Sequence, residues 1–253
     1  MNLSEIVKDS IRYPLLDWKK ILILGIIMVI SGISIIMTIF LTNITVIGVL
    51  VFLGVIIKFF VDGYKIKIIK SSLDGTNKPP EFKKWIEMFV TGIKVNIVFI
   101  VYFIPFFLII SAFASSWDLT AVGPFISPSV SSMLLRMGIN AISSSGTDLW
   151  TFITFLYIIL LYPILQIAIA NMAYNDSKID TAFRISQIIN KIGKIGLKKF
   201  IAWYIIIGSL YLIIDIVGNI IGIILFLLLI APYVQMYFSR AVALIYQSES
   251  PTN

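Results

Sequence analysis

The chain contains no cysteine and no histidine. The absence of cysteine excludes disulfides, thiolate metal ligands and cysteine nucleophiles. The absence of histidine removes the commonest general base and the commonest transition-metal ligand of proteins. Charged residues are also scarce, at 13% of the 253 residues. Most types of enzyme active site are therefore excluded.

Recognisable catalytic motifs are missing as well. There is no GxxxxGK[ST] phosphate loop, no HExxH zinc motif, no GxGD of intramembrane aspartyl proteases and no phosphotransferase pattern of lipid-headgroup enzymes. Asp74-Gly75 is typical of a turn, and Asp176 and Asp180 are typical of helix starts, where carboxylates complement the helix dipole. We predict a protein that is not an enzyme, with no catalytic residue, no cofactor and no metal site.

Long apolar runs are what the chain has instead. Hydrophobic residues make up 59% of it, more than a soluble domain needs. Residues 21–57 contain no Asp, Glu, Lys or Arg and would form a helix about 55 Å long, against a hydrocarbon core of about 30 Å. This run must fold back, and the polar cluster Thr42-Asn43-Ile44-Thr45 predicts where it turns. Residues 200–239 carry a single charge, Asp215, and predict a second hairpin that turns at 215–219.

These runs predict an all-α, polytopic integral membrane protein that forms a single membrane domain over residues 1–253. The six expected spans are 21–41, 44–64, 95–117, 149–174, 199–214 and 219–240. Pro105, Pro163 and Pro232 are expected to kink helices without a role in transport. Between the spans we expect cytosolic loops at 65–94 and 175–198, and an external loop at 118–148 that includes a short surface helix at 130–142.

The distribution of Lys and Arg predicts the orientation. Of the 20 basic residues, 19 fall in segments that this threading places on one side of the membrane, and Arg136 alone falls on the other. Short loops rich in Lys and Arg stay on the cytosolic side of membrane proteins. We therefore predict a protein of the cell membrane with both termini in the cytosol. Anionic lipid headgroups explain the net charge of +7, so no nucleic acid partner is expected.

Charges near the ends of spans are expected to pair with one another. Lys58 and Asp62 lie four residues apart, about one helical turn, and predict an ion pair at the end of the second span. No charged residue falls at the centre of any predicted span. Charged groups in that position usually mark ion or proton pathways, so the sequence gives no such indication.

Three basic segments carry apolar residues at helical spacing, a pattern typical of amphipathic helices at a membrane interface. They are residues 1–20, 79–94 and 180–198. In the second, Trp85 shares an apolar side with Phe82, Ile86 and Phe89 and is predicted to hold the segment to the membrane. The residues predicted to contact lipid headgroups are Trp18, Lys19, Lys20, Lys83, Lys84, Trp85, Lys94, Lys191, Lys194 and Lys198.

A weak internal similarity links three places where a basic segment meets an apolar one. The sequences are DWKKILILG at 17, GIKVNIVFIVYF at 92 and GLKKFIAWYIIIG at 196. Three copies of one unit, each an interfacial helix followed by a membrane hairpin, would explain them. Convergence on the same basic-then-apolar composition explains them equally well, and both interpretations stay open.

Several short motifs lie in the first part of the chain: Tyr13-Pro14, Asp17-Trp18-Lys19-Lys20, Asp62-Gly63-Tyr64, Leu73-Asp74-Gly75, Pro80-Glu81-Phe82, Trp85 and Gly92-Ile93-Lys94. With these the chain resembles domain-of-unknown-function family 4013, from residue 11 to about residue 245. The resemblance implies a largely archaeal group of multi-pass membrane proteins with no established activity, and it supplies no catalytic residues. Thr76-Asn77-Lys78 stands where we would look for more acidic residues, which argues against an acidic ligand role for that turn.

The sequence favours a non-enzymatic membrane protein whose basic interfacial helices contact anionic lipid. An unidentified protein partner or a second copy of the chain is left open. The alternative is a membrane subunit of a transporter or permease, with residues 180–198 as a cytosolic coupling helix that docks to an ATPase. A lipid-modifying enzyme is a third hypothesis. Recovery of a stoichiometric ATPase would favour the transporter hypothesis, and lipid turnover by the pure protein would favour the enzyme hypothesis.

Overall fold

The structure is a computed structural model, and it describes residues 1–37, 41, 43–112 and 149–248. Within these ranges the chain is helical and contains no β-strand. The all-helical fold class is therefore confirmed. The predicted external loop at 118–148, with its short helix, lies outside the described residues.

Eight helices of ten residues or more make up most of the described chain. They are α1 (Leu3–Arg12), α2 (Trp18–Met37), α3 (Ile44–Leu73), α4 (Trp85–Ala112), α5 (Leu149–Tyr174), α6 (Ile185–Ile195), α7 (Leu197–Ile221) and α8 (Ala231–Gln247). Shorter elements connect some of them: the 3₁₀ segments Pro14–Leu16 and Ile179–Phe183, and one turn of α-helix at Ile223–Leu225. A π-helical segment, Phe226–Ile230, leads directly into α8.

Three segments of the described chain are long and apolar enough, by length and composition, to cross a membrane. They are Ile44–Leu73, Trp85–Phe106 and Phe226–Gln247. On α3, large apolar side chains such as Phe52 and Leu53 are exposed. Such a surface is unfavourable in water and suits lipid. The apolar helices thus indicate a membrane protein, while the full set of six spans stays a prediction.

Asparagine side chains begin two of the helices. Asn2 Oδ1 accepts a hydrogen bond from the Glu5 N–H at 2.9 Å, and Glu5 Oε2 accepts one from the Asn2 N–H at 2.8 Å. This reciprocal arrangement is a capping box that starts α1. Asn43 starts α3 by accepting from the N–H groups of Thr45 and Val46. The polar cluster that predicted a turn between two apolar helices therefore supplies the cap of the second one.

Helix α3 is the central element, in contact with α2, α4, α5 and α8. A large buried cluster joins α3, α5 and α8 to α7, and includes Ile69, Ile169 and Trp203. A second buried cluster joins α3 to the N-terminal segment through residues such as Tyr13 and Tyr64. Both clusters extend to the end of the bundle where the basic segments lie.

Helices α3 and α4 cross at two glycines. A Cβ atom on Gly63 would lie 1.8 Å from the carbonyl oxygen of Met88, and one on Gly92 would lie 1.8 Å from that of Phe59. Backbones this close leave no room for a side chain, and small residues of this kind let membrane helices approach each other. The crossing fixes α4 against the central helix.

The segment predicted as a cytosolic loop at 65–94 is mostly helical. Helix α3 continues to Leu73 because Ile66, Ile68 and Ile69 are buried in the bundle, and only residues 74–84 are non-helical. The helix predicted at 79–94 is therefore not a separate element. Its first part contains Pro79-Pro80 and the left-handed Lys84 (φ 60°), which keep it out of helix, and its second part is the start of α4.

The second apolar hairpin turns later than predicted. Helix α7 continues to Ile221, so the turn expected at 215–219 is replaced by a break at Gly222. Gly222 has φ +93°, a left-handed conformation that glycine adopts without the strain a Cβ would bring. Pro105 and Pro163 lie inside continuous helices, and the kinks expected at them stay a prediction.

The other two amphipathic segments are also divided. The N-terminal one is α1 followed by the Pro14–Leu16 segment, and α2 already begins at Trp18. The one predicted at 180–198 is the Ile179–Phe183 segment and α6, which Gly196 (φ 89°) separates from α7. The similar sequence that starts at Gly92 lies inside α4, so it does not begin a helix as the other two do.

Candidate functional site

Three basic stretches of the sequence and the C-terminal end of α8, which carries Arg240, meet in one layer at one end of the bundle. We call it the basic layer, and define it as residues 1–20, 65–94, 175–200 and 240–248. Lys70 pairs with Asp176 at 2.5 Å, which joins the end of α3 to the turn after α5. Lys199 donates to the carbonyl oxygen of Met1 at 2.9 Å, which joins the start of α7 to the N-terminus. Segments far apart in sequence therefore form one surface.

Arg240 makes four contacts within the basic layer, and only 4% of its side chain is exposed. Its Nε donates to Asp9 Oδ2 at 2.7 Å, its Nη1 to the carbonyl oxygen of Thr76 at 2.9 Å and its Nη2 to Asn77 Oδ1 at 2.8 Å. The guanidinium also lies 5.0 Å from the centre of the Tyr13 ring. One side chain of α8 thus holds α1 and the 74–84 segment in place.

Two tyrosines also hold the 74–84 segment in place. Tyr64 donates to the carbonyl oxygen of Pro80 at 2.9 Å, and Tyr13 donates to that of Lys78 at 3.3 Å. Burial raises the pKa of Tyr13 to about 12, because the charged phenolate is disfavoured away from water. The Tyr13 hydroxyl therefore stays a hydrogen-bond donor at neutral pH, next to the Arg240 cation.

A buried set of polar groups ties α5 to the segment that follows it. Asn171 donates to the carbonyl oxygen of Thr181 at 2.8 Å and accepts from the Tyr246 hydroxyl at 2.7 Å. Tyr102 donates to the carbonyl oxygen of Ala182 at 2.7 Å. Because these groups are buried and paired, they fix the path of the chain between α5 and α6. The position of α6 follows from them.

Helix α6 has an apolar side that is only partly covered by protein. At about 100° per residue, its five isoleucines form one continuous arc. Ile188, Ile192 and Ile195 lie on the half that is buried against the bundle, whereas Ile185 and Ile189 are 48% and 60% exposed. The polar residues of the helix, Lys194 among them, lie on the opposite side. An exposed apolar edge beside a polar side is the geometry of a helix that lies in a membrane interface.

The ten residues predicted to contact lipid divide into two groups. Seven have exposed side chains: Trp18, Lys19, Lys83, Lys84, Trp85, Lys194 and Lys198. The other three have partners within the protein. Lys20 binds Asp17 and the carbonyl oxygen of Pro79, Lys94 binds that of Ser177 at 3.0 Å, and Lys191 lies 4.7 Å from the centre of the Tyr246 ring.

The exposed lysines also differ in their charge surroundings. Lys83 pairs with Glu81, and Lys84 pairs with Glu87 at 3.3 Å, so acidic neighbours offset both charges. Across the described residues, Lys19, Lys194 and Lys198 have no ion pair. Among the ten predicted residues, these three are the exposed lysines whose positive charge no acidic neighbour offsets.

Trp85 lies at the start of α4 and is 44% exposed. Its ring packs on Phe60 and Phe82, with centroid distances of 5.8 Å in both cases. Phe82 in turn stacks on Tyr64 at 4.0 Å. Trp85 is therefore anchored to α3 by aromatic contacts and leaves the rest of its ring outside the protein.

Lys65 is the residue that sequence reasoning missed. It was placed at the start of a solvated loop, but its Nζ donates to Gln166 Oε1 at 3.0 Å and lies 5.5 Å from the centre of the Phe238 ring. Gln166 is 2% exposed. The one available signal was Gln166 itself, a polar residue in an apolar span, because a buried amide needs a partner.

Among the described residues, no group of three or more Asp or Glu side chains converges. Asp176 and Asp180 each have a basic partner instead. The hydrogen bond from Lys70 lowers the pKa of the Asp176 carboxyl, and the hydrogen bond from Arg184 lowers that of Asp180. Asp176 lies in a left-handed turn rather than at a helix start.

The sequence matches a family profile described as "Protein of unknown function (DUF4013)" over residues 46–231. The chain belongs to this family. The DUF4013 match confirms the resemblance seen in the sequence but begins later, so the Tyr13-Pro14 and Asp17-Trp18-Lys19-Lys20 motifs lie outside it. It includes Lys65 and Gln166 and excludes Asp9 and Arg240. No curated protein and no solved structure matches the chain.

Proposed function

We propose that this DUF4013 protein is a multi-pass, non-enzymatic protein of the cell membrane that binds anionic lipid headgroups with its basic layer. Both termini and the basic layer lie on the cytosolic side in this proposal. The observation that carries it is the set of exposed, unpaired lysines, Lys19, Lys194 and Lys198, at the end of a bundle of apolar helices. Anionic lipids are concentrated in the cytosolic leaflet and attract basic residues near the surface.

The geometry of α6 supports the same proposal. On this helix Ile185 and Ile189 are exposed apolar residues, and Leu197 and Ile201 at the start of α7 are also exposed, at 64% and 53%. Contact of such an apolar strip with lipid costs no free energy, whereas its contact with water is unfavourable. With this strip in the membrane, Lys194 and Lys198 come to the level of the phosphates.

Replacing Lys194 and Lys198 together with glutamine is expected to weaken binding of phosphatidylglycerol about 30-fold at low ionic strength. Each basic residue near the surface contributes about 1 kcal/mol, and about 1.4 kcal/mol corresponds to a factor of ten. The difference should shrink as salt is added, because salt screens exposed charges. The measurement is native mass spectrometry of the full-length protein in neutral micelles titrated with phosphatidylglycerol.

The matched control is the double substitution of Lys83 and Lys84 with glutamine. It removes the same formal charge from two lysines that Glu81 and Glu87 already offset, so a smaller loss is expected. Equal binding of phosphatidylglycerol and phosphatidylcholine by the unmodified protein would rule out the proposed function.

A transporter or permease subunit is the second candidate function, and the contact between Lys65 and Gln166 favours it. The partly buried Lys65 ammonium donates to the buried amide of Gln166 between two apolar helices, and charged residues paired between membrane helices are found along the pathways of many transporters. In this alternative α6 presents its polar side to an ATPase. Purification in mild detergent distinguishes the two candidate functions. Recovery of a stoichiometric bound ATPase would support the transporter alternative, and purification of the protein without one would support the lipid-binding function.

A further inference from the structure

An apolar groove lies between α2 and the π-helical segment that precedes α8. It has a volume of about 290 Å³ and is lined by Trp18, Ile21, Leu22, Leu229, Ile230 and Tyr233. The volume lies just below the range of about 300–1,000 Å³ for ligand pockets. A groove of this size and character suits one hydrocarbon chain. π-helical segments often occur at functional sites because they displace side chains from the regular helical pattern.

One end of this groove reaches the basic layer. Tyr233, which lines the groove, donates to the carbonyl oxygen of Ile11 at 2.9 Å, so the C-terminal end of α1 with the exposed Arg12 lies there. Lys19 follows the groove residue Trp18 on α2 and is exposed.

The acidic residues at this corner are already paired. Asp9 accepts from Arg240 at 2.7 Å, and Asp17 pairs with Lys20 at 3.0 Å. The hydrogen bond from Lys20 also lowers the pKa of Asp17, so this carboxylate stays ionised and bound to its partner. The corner is therefore left with the positive charges of Arg12 and Lys19. An apolar groove with a cationic end complements an amphiphile that has an anionic head.

We propose that the groove binds one acyl chain of an anionic phospholipid, with the phosphate at the corner formed by Arg12 and Lys19. This inference rests on the proposed function, since it names one specific site on the same surface. The acyl chain exchanges apolar contact with bulk lipid for apolar contact with Trp18 and Leu229. The phosphate gains an electrostatic attraction to the basic side chains at the corner. The site thereby distinguishes lipids by headgroup charge, which the apolar groove alone would not do.

The test uses phosphatidylglycerol with brominated acyl chains and the full-length protein in nanodiscs, because bromine quenches a tryptophan that it contacts. The contribution of Trp18 is the difference between the unmodified protein and the Trp18→Phe variant. We expect brominated phosphatidylglycerol to quench Trp18 at about five-fold lower mole fraction than brominated phosphatidylcholine. Lys19→Gln should remove that preference, since one basic residue near the surface contributes about a factor of five.

Filling the groove with larger side chains distinguishes binding in the groove from ordinary contact with bulk lipid. In the double variant Leu22→Phe with Leu229→Phe, we expect quenching of Trp18 to lose its headgroup preference. The control Ile23→Phe with Ile26→Phe adds the same bulk to exposed positions of α2 outside the groove and should behave as the unmodified protein. Equal quenching by the two lipids, or unchanged preference after the groove is filled, would overturn the inference.

Lys194→Gln with Lys198→Gln tests the proposed function and should leave the quenching of Trp18 unchanged.

Discussion

Replacing Arg240 with methionine is expected to lower the free energy of unfolding by about 3 kcal/mol. Methionine keeps much of the apolar volume but removes the hydrogen bonds to Asp9, Thr76 and Asn77 and the contact with the Tyr13 ring. Loss of one partner from a buried ion pair usually costs about 3–5 kcal/mol. The lower end applies here because Asp9 is 40% exposed and regains water when its partner is gone. Unfolding of the purified protein in mixed micelles with increasing SDS measures the change.

Arg184→Met is the matched control. Arg184 also binds a carboxylate at 2.7 Å, that of Asp180, but 48% of its side chain is exposed. Exposed ion pairs contribute about 0–1 kcal/mol, so this variant should remain close to the unmodified protein. Equal losses in the two variants would mean that the Arg240 contacts do not hold α1 and the 74–84 segment to α8.

Replacing Gly63 with alanine is expected to cost about 3 kcal/mol, at the upper end for added bulk in a packed interior. The new Cβ atom would lie 1.8 Å from the carbonyl oxygen of Met88, which is a backbone atom and has no rotamer to change. The helices must therefore separate, and the packing of α4 on the central helix is lost. Gly92→Ala should behave in the same way, because its Cβ atom would meet the carbonyl oxygen of Phe59.

Gly48→Ala is the control for this pair, since no atom lies within 4 Å of its added Cβ. Alanine favours helix over glycine by about 0.5–1 kcal/mol, so a small gain in stability is expected. SDS-dependent unfolding of the three variants gives the comparison. If Gly63→Ala and Gly48→Ala were equally stable, α3 and α4 would not cross at these glycines.

The sequence was most informative where composition alone decides the physics. Apolar runs and the scarcity of charge predicted a helical membrane protein, and the polar cluster at Asn43 predicted where the first hairpin turns. The pair Lys58 and Asp62 forms as expected, with 2.6 Å between Lys58 Nζ and Asp62 Oδ2. In each case the deciding interaction is local in sequence, between residues about one helical turn apart or within one uninterrupted run.

Contacts between distant segments were not predictable from the same patterns. A basic residue in an amphipathic pattern indicates a polar side, but it does not reveal whether lipid, water or another helix lies opposite. Lys94 and Lys191 are predicted to contact headgroups, and the structure gives them protein contacts, with Ser177 and Tyr246, that the pattern did not indicate. Arg240 was counted only for its charge, yet it joins three segments of the basic layer. Such contacts depend on how the helices pack, which a single sequence does not show.

Helix boundaries shifted for a related reason. Residues 65–73 looked like the start of a loop because they carry Lys65, Lys67 and Lys70. The isoleucines between these lysines are buried in the bundle, and the apolar contact that they gain extends α3 beyond the predicted span. The break at Gly222 has a local cause instead of a packing cause. The backbone preference of glycine sets this helix end, and no charged residue marks the position in the sequence.

Single cysteines test most directly the central claim, that the basic layer lies on the cytosolic side of a membrane that the chain crosses several times. The chain has no cysteine of its own, so each introduced residue gives an unambiguous signal. We predict that cysteines at Lys83, Lys194 and Asn253 react with an impermeant maleimide only after cells are permeabilised, whereas one at Ser144 reacts in intact cells. Reaction of Lys83→Cys or Lys194→Cys in intact cells, or protection of Ser144→Cys, would contradict the account.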